Sequence, residues 1–311
     1  MPKRYLAIAC LTLAACSAPV PGDGPVFSNA AFILEEHPLV GVIWDVEAAQ
    51  AIDEATLVAR LGAADIAILG EVHDNARHHE RQAELVAQVA PEGLAFEMVP
   101  EGSEEGIEAF LAQGGTPGEI GPAIGWNRLG WPDWDLYRPI FEAAPEAYIA
   151  GGATTNAELI AAIRGDAASA FGPGADRYGL SVRPDAKTQA ALEEEMVVAH
   201  CNKLPRSAAR GMAEAQRLRD ARFADASLRA LAKGNGNAVL ITGNGHARSD
   251  RGVPAYITEA ARDLVVISLG QLEVIEEAKT VAEYAALAET PYDYLWFSAR
   301  ADRPDPCAQF N

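Results

Sequence analysis

The chain has 311 residues, enough for one large hydrophobic core or two modest ones, and 49% of its residues are apolar, as in ordinary globular proteins. Its 44 acidic residues outnumber the 25 basic ones and give a formal net charge of −19. Because binding to nucleic acid needs a basic surface, this charge argues against nucleic-acid partners.

The N-terminus has the pattern of a bacterial lipoprotein signal. Lys3 and Arg4 precede an apolar segment, Tyr5 to Leu13, that is too short to span a bilayer. The sequence Leu13-Ala14-Ala15-Cys16 then matches a lipobox. We therefore predict a signal peptide over residues 1–15, lipidation at Cys16 and a Pro/Gly-rich tether over residues 16–34. A plain secretory signal or an uncleaved anchor is the alternative.

Strands and helices alternate along the rest of the chain. The apolar patterns predict strands at residues 39–45, 66–70, 93–98, 147–151, 238–242 and 264–269, with an edge strand at 292–298. They predict helices at residues 53–61, 77–89, 104–113, 137–144, 156–164, 187–202, 207–233 and 254–262, and irregular structure at 165–184.

This alternation is typical of an α/β fold with a mostly parallel central sheet flanked by helices. The two long helices in the C-terminal half predict an additional helical layer. No repeat or clean linker divides the chain, so we predict one domain over residues 35–311.

Polar side chains follow three of the predicted strands. Glu71 and His73 come after the strand at 66–70, Glu97 ends the strand at 93–98, and His246 comes after the strand at 238–242. Because the carboxyl ends of parallel strands share one edge of a sheet, these four side chains are expected to meet in a crevice. Two carboxylates and two imidazoles suit general acid–base catalysis or a divalent metal ion.

Two neighbouring segments extend this candidate site. The glycine-rich loop with Gly243 and Gly245 could hold a carboxylate such as a propionate, with charge added by Arg248 and Arg251. It is not a Walker loop, because the Lys-Ser/Thr ending is absent. His78 and His79 open a predicted helix, where helix capping, surface exposure and ligand contact are all open interpretations.

Aromatic residues and cysteines leave further alternatives. Trp126, Trp131, Trp134 and Tyr137 form either a lid or aromatic wall of a pocket or a satellite core. Cys10 lies in the signal peptide, which leaves Cys201 and Cys307. Since the compartment beyond the inner membrane permits disulfides, we predict that they pair. Unpaired thiols and a Cys/His metal site at His200-Cys201 are the alternatives, although no second cysteine lies at ligand spacing.

Several ordered motifs resemble the ChaN-like haem-binding lipoproteins. They are Leu69-Gly70-Glu71-Val72-His73-Asp74-Asn75 with His78-His79 and Gln82, Phe96-Glu97-Met98, Ala199-His200-Cys201, Ala215-Gln216 to Asp220, and Gly243-Asn244-Gly245-His246 to Pro254. The resemblance covers about residues 35–310. It implies an iron-regulated, lipid-anchored protein of the outer membrane, facing the periplasm, that binds haem as a homodimer.

The resemblance also implies a wider superfamily with erythromycin esterases and Tiki-type metalloproteases. Carried over by motif, the active centre and divalent-metal ligands of those relatives correspond to Glu71, His73, Glu97 and His246. The candidate cofactor-binding residues are His73, His78, His79, Gly243, Gly245, His246, Arg248 and Arg251. The axial ligand of haem is a Tyr or His, for which the candidates are Tyr256, Tyr292, Tyr294 and His200.

Three functional hypotheses follow. The leading one is a lipid-anchored envelope protein that binds haem for iron uptake or handling. The second is a metal-dependent hydrolase of the esterase or protease type that uses the Glu71/His73/Glu97/His246 cluster. The absence of a Gly-x-Ser-x-Gly elbow argues against a serine hydrolase. The third is a scaffold lipoprotein whose polar cluster is a relic.

Overall fold

The computed structural model describes residues 31–305 and 307–308. The predicted signal peptide, the lipidation site Cys16 and most of the predicted tether lie outside the described residues. The end of the tether is described, and there Phe32–Ile33 form strand β1, which pairs antiparallel with β10 (Arg300–Ala301). Strand β1 therefore lies inside the segment predicted as tether.

The main sheet has six parallel strands and an antiparallel extension at one edge. Its order is β3-β2-β9-β8-β4-β7-β5-β6. From β9 to β6 neighbouring strands are parallel, whereas β2 is antiparallel to both β3 and β9. The strands are β2 (Ile43–Asp45), β3 (Gln50–Ile52), β4 (Ile66–Glu71), β5 (Gly93–Pro100), β6 (Tyr148–Ala153), β7 (Ala238–Gly243), β8 (Val266–Glu273) and β9 (Tyr294–Ser298). The predicted α/β class with a mostly parallel sheet is confirmed.

Helices cover both faces of this sheet. They are α1 (Glu54–Ala63), α2 (Ala76–Val89), α3 (Glu104–Ala112), α4 (Ile120–Ile124), α5 (Trp134–Ala143), α6 (Asn156–Arg164), α7 (Ala167–Phe171), α8 (Ala186–Ala199), α9 (Arg206–Gly234), α10 (Asn244–Ala247), α11 (Val253–Ala260) and α12 (Val281–Leu287), with short 3₁₀ turns at Pro117–Glu119, Trp126–Arg128 and Ala175–Tyr178. The two long helices predicted in the C-terminal half are α8 and α9.

The central strands divide the hydrophobic core into two layers. In β4, Ile66 and Ile68 pack into one layer, while Ala67 and Leu69 pack into the other. Successive side chains of a strand point to opposite faces, so a strand covered by helices on both sides must be apolar at every position. This is why β4 is a continuous apolar run that reaches polar residues only at its carboxyl end.

Several elements differ from the sequence prediction, and three of them are instructive. The segment predicted as irregular contains α7, which begins where Asp166 accepts a hydrogen bond from the Ser169 N–H. Helix α12 was not predicted; Thr280 and Glu283 form its capping box. Strand β9 is not an edge strand, because β8 and β2 pair with its two sides.

Side chains cover the outer edge of β6. Glu104 accepts a hydrogen bond from the Gly151 N–H, and Arg229 donates to the Gly151 carbonyl oxygen. These contacts satisfy backbone groups that would otherwise be open to pairing with another chain.

A disulfide joins the C-terminal segment to the end of α8. Cys201 and Cys307 are bonded, as predicted, and both alternatives to pairing are therefore wrong. Among the helices in the described residues, none combines the length and apolar character that a bilayer span requires.

Candidate functional site

Two strand-to-helix turns meet at the carboxyl edge of the sheet. The first turn, residues 70–75, connects β4 to α2, and the second, residues 243–246, begins at the end of β7 and includes α10. Because β4 and β7 are parallel neighbours with Glu71 opposite Gly243, the two turns lie side by side. Strand β5, which carries Glu97, is the other neighbour of β7.

In the first turn, Glu71 and His73 form a hydrogen-bonded pair. The His73 Nδ1–H donates to Glu71 Oε1 over 2.7 Å, and the Tyr137 hydroxyl donates to the same oxygen, also over 2.7 Å. His79 Nδ1 lies 3.3 Å from Glu71 Oε2, and its Nε2–H donates to the His73 carbonyl oxygen. Glu71 is buried, so these neighbours replace the water that its carboxylate loses.

In the second turn, His246 has a carboxylate partner that comes from a distant helix. His246 Nδ1 lies 2.7 Å from Asp220 Oδ1 on α9, and the Gln216 amide nitrogen lies 3.1 Å from His246 Nδ1. Gln216 and Asp220 are four residues apart and so share one face of α9. The sequence prediction did not include Asp220 among the site residues. The four-residue spacing of Gln216 and Asp220 was the signal that could have identified it.

Glu97 connects the two turns. Its Oε2 accepts hydrogen bonds from the Gly243 N–H, over 2.8 Å, and the Thr242 hydroxyl, over 2.7 Å. Its Oε1 lies 3.5 Å from His246 Nε2 and 3.9 Å from His73 Nε2. The structure therefore brings together the four side chains that the sequence placed in one crevice. We call Glu71, His73, Glu97 and His246 the polar centre.

The carboxylates hold both imidazoles of the polar centre in the protonated form. Burial lowers the pKa of His73, but the Glu97 charge and the hydrogen bond to Glu71 outweigh it and raise this pKa to about 9. For His246, burial likewise opposes the charges of Glu97 and Asp220, and the net pKa is raised. Near neutral pH the His73 ring is therefore a hydrogen-bond donor and an acid rather than a base, and the protonated form of His246 is favoured relative to a free imidazole.

The acidic groups show the reciprocal effect. Burial raises the pKa of Glu97, but the charges of His246 and His73 dominate and lower it to about 2. Burial also opposes ionisation of Glu71, whose pKa is nevertheless lowered by His79 and His73. For Asp220 burial prevails and raises the pKa to about 6.

The predicted divalent-metal site is not supported. Within residues 31–305 and 307–308, no group of three or more His, Cys, Asp or Glu side chains is arranged to hold a metal ion. Both imidazoles are bonded to carboxylates through Nδ1, and the raised pKa of His73 keeps a proton on its other nitrogen, which leaves that ring no lone pair for a metal ion.

The aromatic residues divide between core and wall. Trp126 and Trp134 are buried and donate their indole N–H groups to the Pro132 and Gly118 carbonyl oxygens, as expected for a satellite core. Trp131 is half-buried, and its ring centroid lies 5.1 Å from that of His73. His73, whose side chain is 35% exposed, is the member of the polar centre that reaches solvent beside this indole.

His78 and His79 are structural. His78 Nδ1 accepts a hydrogen bond from the Val72 N–H, its Nε2–H donates to Ser298 Oγ, and the residue is fully buried. Burial, together with the charge of His79, holds the pKa of His78 well below its usual value. His79 is 1% exposed. Both rings are closed off from solvent in this structure, and cofactor contact at either histidine stays a prediction.

The predicted anion-binding loop is occupied by the chain's own carboxylates. The Gly243 N–H donates to Glu97, as described above. Arg248 forms ion pairs with Asp250 and Glu289, and Arg251 forms ion pairs with Glu195 and with the same two carboxylates. A carboxylate ligand would have to break these pairs, so the prediction that Gly243, Gly245, Arg248 and Arg251 cradle an anion is not supported.

The candidate axial ligands differ in their accessibility. Tyr292 and Tyr294 are each 7% exposed, and the Tyr292 hydroxyl donates to the Asn244 carbonyl oxygen. Tyr256 and His200 are half-buried. Two clefts, of about 580 and 390 Å³, lie away from the polar centre, at the ends of β6 and beside Trp126.

Comparisons with known proteins agree with this architecture. The sequence profile of the family described as "Haem-binding uptake, Tiki superfamily, ChaN" matches residues 57–257, which is more than half of the chain. No curated protein matches the chain.

Two solved structures match the chain, and the first of them is similar in fold. The structure titled "Cofacial heme binding to ChaN of Campylobacter jejuni" has 16% sequence identity and a TM-score of 0.63, over 82% of this chain and 95% of that chain. The type III effector HopBA1 has 12% identity and a TM-score of 0.42, over 79% of this chain and 93% of that one.

Proposed function

The chain belongs to the ChaN family of the Tiki superfamily, described as haem-binding uptake proteins, and from this premise we propose that it binds haem at the bacterial envelope for iron uptake or handling. The single observation that carries the proposal is the family match over residues 57–257. That range contains both turns, the whole polar centre and the end of α8.

The finer parts of the proposal concern location and assembly. The lipobox at Cys16 supports a lipid anchor, and the resemblance supports the periplasmic face of the outer membrane. The resemblance to this family also supports assembly of two copies of the chain around haem. We therefore include a homodimer in the proposal.

The side chains present fit haem in their donor chemistry. Haem iron takes an imidazole nitrogen or a phenol oxygen as axial ligand. Half-buried side chains of both types, at His200 and Tyr256, are within reach of the surface. When bound, haem would supply iron as cargo; the chain's own residues would bind and orient it.

The test is a hemin titration of the full chain purified in detergent. We expect a shifted Soret band that saturates at a fixed stoichiometry, and size-exclusion chromatography should show a larger species when hemin is bound. A linear, non-saturating absorbance change would contradict haem binding. Saturation without any change in size would contradict the dimer alone.

A second candidate function is hydrolysis at the polar centre. The observation that favours it is the paired arrangement of His73 and His246, each bonded to a carboxylate through Nδ1 with Nε2 facing Glu97. Such pairs fix the tautomer and orientation of an imidazole for proton transfer. A screen of esters and peptides, with and without divalent cations, tests it. Turnover that is lost in His73→Ala supports the enzyme, and no turnover by the intact chain contradicts it.

A further inference from the structure

The Cys201–Cys307 disulfide joins two segments that each contact one turn of the polar centre. Its cysteines are 106 residues apart in the chain, and both are half-buried, so that a dissolved thiol can reach them. We propose that this disulfide is a redox-controlled fastener of α8. While it is intact, α8 stays against the second turn; when it is reduced, α8 moves away and exposes that turn. The proposal concerns access to the polar centre and does not depend on haem binding.

The C-terminal end of α8 lies against the second turn. Glu195 Oε2 forms an ion pair with Arg251 Nε over 2.9 Å. Its other oxygen, Oε1, would lie 3.8 Å from a Cβ placed at Gly245, the residue before His246. The Glu195 carboxylate therefore closes one side of the turn that carries His246.

Helix α8 has little apolar attachment to the rest of the fold. Three of its 14 residues are buried, namely Leu192, Met196 and Val197. Leu192 and Met196 pack with Ala213 of α9 in a small cluster that is separate from the two layers of the main core. Because apolar burial is the main stabilising contribution, a helix with so few buried side chains opens locally at low cost. The position of α8 therefore depends on the Glu195–Arg251 pair and on the disulfide.

The turn after α8 has a backbone conformation that the disulfide helps to maintain. Cys201 and Asn202 both lie in the left-handed region, with φ angles of 57° and 58°. Glycine is the usual residue at such a helix end, and asparagine tolerates the conformation, whereas a cysteine pays for its Cβ. Once the sulfur is released, Cys201 can leave this conformation. The end of α8 that carries Glu195 is then the end that loosens.

The other cysteine belongs to a segment with a second attachment. Arg303 donates to both carboxylate oxygens of Asp74 over 2.6 Å, and it also donates to Glu273. Asp74 is the neighbour of His73 in the first turn. Since these ion pairs do not involve the disulfide, they should keep the C-terminal segment on the first turn after reduction. Reduction should therefore release the second turn and leave the first in place.

The reductant is a dithiol. One of its thiolates attacks a sulfur of the Cys201–Cys307 bond and forms a mixed disulfide, and its second thiolate displaces the protein sulfur. The dithiol leaves as its own disulfide, and Cys201 and Cys307 each take up one electron and one proton and become thiols.

The experiment is hydrogen–deuterium exchange of the full chain, purified in detergent, with and without excess dithiothreitol. We expect backbone amides in residues 186–205 and 244–252 to exchange about tenfold faster or more after reduction. Exchange in β4 and in residues 72–75 of the first turn should stay the same. The variant Cys201→Ser/Cys307→Ser should match the reduced chain under both conditions, because dithiothreitol has no bond to break there.

A second measurement reports on access to the side chains. Carbethoxylation by diethyl pyrocarbonate at fixed pH, quantified by mass spectrometry, should increase at His246 by about threefold after reduction. The fully buried His78 is the internal reference and should not change.

Each outcome bears on the proposal. If reduction leaves the exchange of α8 unchanged, the disulfide does not fasten this helix and the proposal is overturned. If exchange accelerates equally in α8 and in β4, the disulfide only stabilises the whole fold, which overturns it as well. Faster exchange in α8 with unchanged labelling of His246 would contradict control of access. Because no hemin is present, failure of the proposed haem binding would not produce any of these results.

Discussion

The two strand-to-helix turns build the same histidine–carboxylate pair in different ways. In both, a glycine ends a buried parallel strand and a histidine donates through Nδ1 over 2.7 Å. The partner of His73 is Glu71, two residues earlier, whereas the partner of His246 is Asp220, 26 residues away on α9. The His73 side chain is 35% exposed and that of His246 is 11% exposed.

This difference indicates that the two histidine–carboxylate pairs have different roles. The locally built pair stands in the first turn at the surface, beside Trp131, where a ligand can reach it. The other pair, His246 with Asp220, depends on tertiary structure. It is packed beneath α9, and it contacts Glu97 from the buried side. Each of the following predictions alters one turn and leaves the other as the internal reference.

The largest effect is expected when the carboxylate between the turns is neutralised. In Glu97→Gln two imidazoles lose their shared counter-charge, and such losses at buried pairs cost about 3 kcal/mol in the free energy of unfolding. The raised pKa of His73, about 9 in the intact chain, should fall together with that of His246. Chemical denaturation and histidine NMR titration measure the two effects.

The control for this change is Glu84→Gln on the exposed face of α2. It should leave both the unfolding free energy and the two titrations unchanged. Unaltered histidine titrations in Glu97→Gln would mean that Glu97 does not couple the turns.

The next largest effect distinguishes the two glycines. A Cβ at Gly70 would overlap Asn244 Oδ1 and lie 3.0 Å from the Leu269 carbonyl oxygen. Asn244 cannot move aside, because its side chain makes two hydrogen bonds to the Gln271 backbone. We expect Gly70→Ala to cost about 2–3 kcal/mol, as overpacking in a core does.

In contrast, a Cβ at Gly243 would lie 2.9 Å from His73 Nε2. Because His73 is partly exposed, its ring can shift, and Gly243→Ala should cost only about 1 kcal/mol. Chemical denaturation ranks the two variants. Equal losses of unfolding free energy in Gly70→Ala and Gly243→Ala would show that the first turn is as rigid as the second, and would contradict the proposed difference between the two turns.

The same contrast explains what the sequence could predict. The convergence of Glu71, His73, Glu97 and His246 follows from strand order alone, since all four follow parallel strands that turned out to be neighbours. Asp220 and Tyr137 were missed as partners because they come from helices, and helix rotation relative to the sheet depends on packing. The ion pairs of Arg248 and Arg251 with Glu289 and Glu195 were not predicted for a similar reason, since these two carboxylates come from other segments.

A smaller effect is expected from the partner that the sequence did not identify. In Asp220→Asn the amide oxygen can still accept from His246 Nδ1–H, but the charge is lost. We expect a loss of about 1–2 kcal/mol, the difference between a charge-assisted and a neutral buried hydrogen bond. The pKa of His246 should also fall, because Asp220 is one of the groups that raise it. The exposed Asp263→Asn serves as control; the same loss in both variants would contradict a specific pair.

The smallest effect is the dependence of stability on pH at the exposed pair. Because the pKa of His73 is raised to about 9 in the folded chain, its protonated form stabilises the fold fully below its unfolded value, about 6.5, and this stabilisation is lost as pH rises through 9. With the side chain 35% exposed, solvent screening limits the contribution to on the order of 1 kcal/mol. The unfolding free energy of the intact chain should therefore fall between pH 6.5 and 9.5 by more than that of His73→Asn. Parallel curves of unfolding free energy against pH for the two proteins would mean that Glu71 and Glu97 do not hold the proton on His73. The exposed Glu71–His73 pair would then differ from the buried Asp220–His246 pair in charge as well as in exposure.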